Sequence, residues 1–156
     1  MGRVFSVSFS QVAVTAAQDL FSLLPASGRP VAVCALYLSQ STEAGDAAEE
    51  MLKIAVKRGA AAAGSGGSAA TPRPRHPSDA AAAFTARVND TTPASAGTAV
   101  VLHADNWNVR GPYVWMPPPD CRPLAAPATY LQVELLAAPA DSVTMSGTLY
   151  VEEADA

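Results

Sequence analysis

Charge is scarce in this chain. Asp, Glu, Lys and Arg together make 15% of its 156 residues, against about a quarter in an ordinary globular protein. The net charge is −4, with a pI near 5.0. A basic field strong enough for non-specific nucleic-acid binding is therefore excluded; the only local basic run is Arg73, Arg75 and His76. Aromatic residues make 6%. Cysteine is limited to Cys34 and Cys121, too few for a disulfide scaffold. Cys34 lies in the apolar run "PVAVCALYL" and reads as a small buried hydrophobe, while Cys121 lies in a Pro-rich turn. No run approaches the roughly 18 apolar residues of a membrane-crossing helix. The opening "MGRVFSVSFSQVAV" alternates instead of forming a continuous apolar core, so it is expected not to act as a secretory leader.

Catalytic and ligand-binding signatures are equally sparse. There is no Cys-x-x-Cys, and two histidines cannot supply a three-histidine metal site. No Gly-x-Ser-x-Gly elbow occurs. "GSGGS" lacks the strand–loop–helix context and the Lys of a phosphate cradle. "HAD" places His103 two positions before Asp105, a spacing that could orient a base, or simply a strand-end histidine bonded locally. "EAGD", with Glu49 and Glu50, reads as a solvated acidic turn; it lacks the regular spacing of a calcium loop. The expectation is a protein with no cofactor, no metal and no enzymatic activity.

What is abundant is alternation. At 156 residues the prior is one domain, covering 1–156, long enough to bury an independent core. "RVFSVSFSQVAV" sets Phe5, Val7 and Phe9 against Ser6 and Ser8, a half-buried strand. "VAVCALYLSQS" is apolar on both faces and reads as a central strand, with Val31, Val33, Ala35 and Tyr37 sharing one side. "MLKIAVKRG" alternates over 52–57; a helix over 43–58 competes, because Ala and Glu favour it. "FTARVND", "TAVVLHADNWNV", "GPYVWMPPPDCRP", "ATYLQVELL" and "VTMSGTLYVEE" follow, separated by turn residues. Seven or eight short strands without a long amphipathic helix predict an all-β fold, an antiparallel β-sandwich or jelly roll.

Two segments stand out from this pattern. Residues 59–79, "GAAAAGSGGSAATPRPRHPSD", hold no large apolar side chain. They lack the burial needed to offset their own ordering entropy and read as a long flexible loop or arm. Its Pro-Arg steps bias it towards extended geometry and make Arg73 and Arg75 candidate contacts to a neighbouring protein. "NWNVRGPYVWMP" is the richest side-chain cluster: Trp107, Arg110, Tyr113 and Trp115, with both tryptophans of the chain. Trp, Tyr and Arg dominate interface hot spots. These rings can fill one end of the core, form a contact between subunits, or present a stacking platform.

"GRVFSVSFSQVAVTAAQDLFSL", "LYLSQSTEAGDAAEEMLKIAVKRG", the Gly/Ser loop, the tryptophans among proline turns, and "VTMSGTLYVEE" together resemble small proteins encoded among the head genes of tailed phages and prophages. The resemblance spans nearly the whole chain. It implies a virion structural protein, a capsid cement or decoration protein made in the bacterial cytoplasm. Its partners would be the major capsid protein and further copies of itself, as dimer or trimer. A carbohydrate- or receptor-binding sandwich of a head or tail fibre is the alternative. Neither nucleic acid nor a membrane is expected as a partner.

Overall fold

A computed structural model describes residues 2–42 and 49–154. Twelve strands run in chain order: β1 Arg3–Val14, β2 Gln18–Leu24, β3 Val31–Gln40, β4 Met51–Ala62, β5 Ser68–Ala70, β6 Arg73–Pro74, β7 Thr85–Asp90, β8 Ser95–Asn108, β9 Tyr113–Trp115, β10 Leu124–Ala125, β11 Tyr130–Leu135 and β12 Val143–Glu153. A short 3-10 turn at Pro119–Cys121 is the only helical element among the described residues. The competing helix over 43–58 is a strand from Met51 onward; residues 43–48, with most of the acidic turn, lie outside the described residues.

The strands form two antiparallel sheets. One has the order β10–β3–β12–β1–β6, with β9 also paired to β3; the other has the order β5–β7–β2–β11–β4–β8. The fold is an all-β sandwich. First and last strands are neighbours, in register from Arg3 opposite Glu153 to Val14 opposite Val143.

The core follows from side-chain alternation along each strand. In β12, Val143, Met145, Leu149 and Val151 are buried, with half-buried residues between them. Phe5, Val7 and Phe9 meet them from β1, and Phe9 lies 5.2 Å, ring to ring, from Phe21 of the opposite sheet. Fully burying each such side chain stabilises by about 1.5–3 kcal/mol relative to exposure. In the first sheet, extra residues interrupt the alternation at two places. β1 shifts register between Phe9 and Val12, where Gln11 takes a positive φ of 55°. β3 shifts around Cys34, because Val151 faces Val33 while Tyr150 faces Ala35. Such bulges re-aim every later side chain.

The segment 59–79 is not an arm outside the body. Its first four residues continue β4. Ser65 and Thr92 exchange backbone hydrogen bonds at 2.9 and 3.0 Å. β5 then pairs with β7 at the edge of one sheet, and β6 pairs with β1 at the edge of the other. Small residues are required for this path rather than merely tolerated. A Cβ on Gly67 would run into the carbonyl oxygen of Val88, and Gly66 takes a positive φ of 92° against Thr91. Composition alone suggests disorder because the segment buries little of its own. Its stability instead comes from main-chain bonds to neighbours that are already ordered.

Two buried carboxylates fasten the segments that enter and leave these edges. Glu153 is fully buried; it pairs with Arg3 at 2.5 Å and accepts the N–H groups of Ala83 and Phe84 at 2.8 and 3.0 Å. Asp19, also fully buried, accepts the Ala94 N–H at 2.8 Å and Gln132 Nε2 at 3.0 Å, while Gln132 also donates to the Ala94 carbonyl. Burial is the main cause that pushes the Asp19 carboxyl up from 3.8 to about 6; the two hydrogen bonds oppose it and nearby Glu134 and Asp90 add to it.

Candidate interaction surface

The six residues singled out in the sequence separate into two groups. Trp107, Arg110, Tyr113 and Trp115 gather where the edge of one sheet meets the edge of the other, at β8 and β9. Arg73 and Arg75 lie at the far edge, on and beside β6.

Trp107 is a core residue. It lies opposite Leu52 on the inward face of β8, is 2% exposed, and donates its Nε1 proton to the Gly111 carbonyl at 2.6 Å. As a contact for a partner it is therefore corrected: the indole fills the end of the core. Tyr113 is also buried; its hydroxyl donates to Asp105 Oδ2 at 3.2 Å and lies 3.3 Å from His103 Nε2. Burial first, then the adjacent Asp105 carboxylate, pushes the Tyr113 phenol up. Trp115 is half-buried and stacked on His103, with ring centroids 4.0 Å apart and planes 13° from parallel. The "HAD" motif thus closes one side of the sandwich: its ring and carboxylate bond the second-sheet edge β8 to the first-sheet strand β9. Arg110 is exposed in the turn after β8, with Nε 3.6 Å from Glu49 Oε1.

Arg73 pairs with Ser6 and is exposed. Arg75 donates its N–H to the Val4 carbonyl at 2.8 Å and carries its guanidinium 5.4 Å from the centre of the Tyr150 ring. From there a row of contacts crosses the outer face of the first sheet. Tyr150 meets Tyr37 edge-to-face at 5.8 Å, and the Tyr37 hydroxyl points at Met116 Sδ at 3.3 Å. Val114 lies beside Tyr37 on the same face, opposite it across the β3–β9 pair. Met116 is 63% exposed, and Val114 and Tyr37 are also exposed. Arg75 and Met116, distant in the chain, are therefore the two ends of one surface row.

Sequence reasoning misses Tyr37 as a surface residue. Alternation places Tyr37 with Val31 and Val33, which point into the core; the extra residue at Cys34 turns the strand over, so Leu36 and Leu38 point inward and Tyr37 outward. No feature of the local sequence marks that bulge.

Two open depressions accompany these surfaces. One, about 430 Å³, has Ser8, Tyr37, Ser39, Val114, Ser146 and Thr148 among its lining residues. The other, about 600 Å³, runs between β1 and the Gly66–Thr71 backbone, with Gln18, Arg73 and Asn89 on its walls. Among the described residues no group of three or more His, Cys, Asp or Glu side chains could hold a metal ion. Both cysteines are free thiols. Among the described residues no helix is long and apolar enough to cross a membrane. The chain matches no family model, no curated protein and no solved structure.

Proposed function

We propose that the chain is a virion structural protein, a cement or decoration protein that binds the capsid lattice of a bacteriophage and reinforces the head. Its partners in this reading are the major capsid protein and further copies of itself, and it carries out no chemistry. The observation that supports the reading best is the apolar and aromatic row on the outer face of the first sheet, from Arg75 through Tyr150 and Tyr37 to Met116. Exposed large apolar side chains gathered on one face mark contact surfaces, and Tyr, Met and Arg are enriched in them. Many identical weak contacts gain strength when they are repeated over a lattice. A jelly-roll form of the sandwich belongs to the same proposal; the pairing of β1 with β12 is in keeping with it.

The test mixes purified protein with empty shells that lack it. The reading predicts co-sedimentation and a higher temperature of shell disruption, both reduced by Tyr37→Ala and Met116→Ser. Failure of the protein to bind shells contradicts it. The second reading, a carbohydrate- or receptor-binding module, draws on the hydroxyl-rich depression beside Tyr37. It predicts retention on immobilised glycans and no stiffening of shells.

A further inference from the structure

The strand edges of the molecule are unequally protected. An open edge offers a row of unpaired N–H and C=O groups, and proteins blunt such edges with short strands, prolines or charge. β5, β6, β9 and β10 are two or three residues long. β6 contains Pro74, and three prolines follow β9 at positions 117–119. β8 has neither the shortness nor the prolines; its one charged residue is Asp105, and its irregularities are two register shifts against β4, at Leu102 and between Gly97 and Val100. It runs for 14 residues as the last strand of its sheet, and nothing among the described residues pairs with its outer side. Residues 95–104, "SAGTAVVLHA", contain no Asp, Glu, Lys, Arg or Pro. Fully extended, this run would span about 33 Å at the usual rise per residue; its two bulges and the positive φ of Ala96 and Gly97 shorten it.

Beside the His103–Trp115 stack, each face of this edge also exposes a valine. Val101 lies opposite Lys57 and Val100 opposite Arg58. Lys57 bonds Glu134 on the outer face of its sheet, while Arg58 reaches across to the Leu124 carbonyl of the other sheet. Val101 and Val100 therefore point to opposite faces, and both are exposed, Val101 at 57%.

We infer that β8 pairs antiparallel with β8 of a second copy about a two-fold axis at Val101, joining two sheets into one. An axis perpendicular to the sheet sets each residue opposite a residue of the mate that shares its face, so Val101 meets Val101. Thr98 then meets Ala104, and Asp105 meets Gly97. The carboxylates fall at the two ends and never face each other, so the pairing sets no like charges opposite one another. A two-fold contact of this kind is closed. This deepens the self-association part of the proposed function and does not require shell binding.

The experiment is sedimentation equilibrium on the full chain with Val101→Lys, Val101→Glu and their equimolar mixture. Wild type is expected to be dimeric. Each single variant is expected to weaken the dimer tenfold or more, since like charges directly opposite on paired strands repel, and the mixture is expected to restore it. Wild-type amide exchange supplies a readout that needs no variant: amides within 98–105 should gain protection as concentration rises through the dimer transition. A monomer at all concentrations overturns the inference, as does a dimer indifferent to both variants or an exchange pattern in 98–105 that ignores concentration. Shell co-sedimentation of Val101→Lys separates the two claims. A monomeric variant that still binds shells keeps both, whereas a wild-type monomer that binds shells removes only the pairing.

Discussion

Residues 63–75 and residues 95–104 have similar side chains and opposite fates. Each is made mainly of Ala, Gly, Ser and Thr, and neither carries a large aromatic residue. The first is cut into two- and three-residue strands that lie along an edge of each sheet, tied by Ser65–Thr92 and by the Arg75 N–H to Val4. The second is one long edge strand with an exposed valine on each face and no strand paired to its outer side among the described residues. Small side chains in themselves decide neither outcome. In the first segment, glycines let the backbone approach β7 closely and Pro74 limits further pairing. In the second, β-branched Thr98, Val100 and Val101 favour an extended chain, and among the described residues no strand covers its outer side.

Changes at the first edge and its anchors should cost folding stability, whereas changes at the second should alter association. The largest effect is expected from deleting residues 63–75. This removes one edge strand from each sheet, and circular dichroism should show loss of the cooperative thermal transition. Unchanged melting would mean that the edge strands contribute nothing. Glu153→Ala comes next. It removes the carboxylate that pairs with Arg3 and Arg29 and strands the N–H groups of Ala83 and Phe84, and removing one member of a buried pair typically costs about 3–5 kcal/mol. Urea denaturation at neutral pH measures this directly.

Asp19 gives the third prediction, because it fastens Ala94 at the root of β8. Its folded carboxyl titrates near 6 rather than 3.8, so the folded state binds more protons than the unfolded state between those values. The contribution is fully present below about pH 4 and lost as pH rises through about 6. It amounts to at most about 3 kcal/mol, since each tenfold change in proton affinity corresponds to roughly 1.4 kcal/mol. Asp19→Asn should flatten that part of the stability–pH curve; a variant with the wild-type slope would show that another group is responsible. Gly67→Ala is expected to cost about 1–3 kcal/mol, in the range of overpacking, because its Cβ meets the Val88 carbonyl. Val101→Ser should be smallest, within about 0.5 kcal/mol for a surface change away from special features, when melting is measured on dilute protein.

The long strands are legible from alternation. β1 occupies the expected span, and β4, β7, β8, β11 and β12 fall within a few residues of the expected segments. Phe5, Val7 and Phe9 face inward as the pattern requires. β5, β6 and β10 are not legible, because strands of two or three small or imino residues carry no period and owe their existence to partners distant in sequence. The surface row is half legible. Met116 and the arginines stand in conspicuous stretches, but strict alternation puts Tyr37 on the wrong face because one extra residue at Cys34 inverts the strand. Trp107 illustrates the converse: an interface-type residue in a polar turn context that the β4 register sends into the core opposite Leu52.

The integration of the small-residue excursion into both sheet edges is the central structural claim, and residue-resolved amide hydrogen exchange on dilute protein tests it most directly. The amides of Ser65, Gly67 and Arg75, bonded to Thr92, Asp90 and Val4, should exchange far more slowly than a free chain and in step with the neighbouring ladders. Exchange of these three amides at free-chain rates, while β1 and β7 remain protected, would contradict the account.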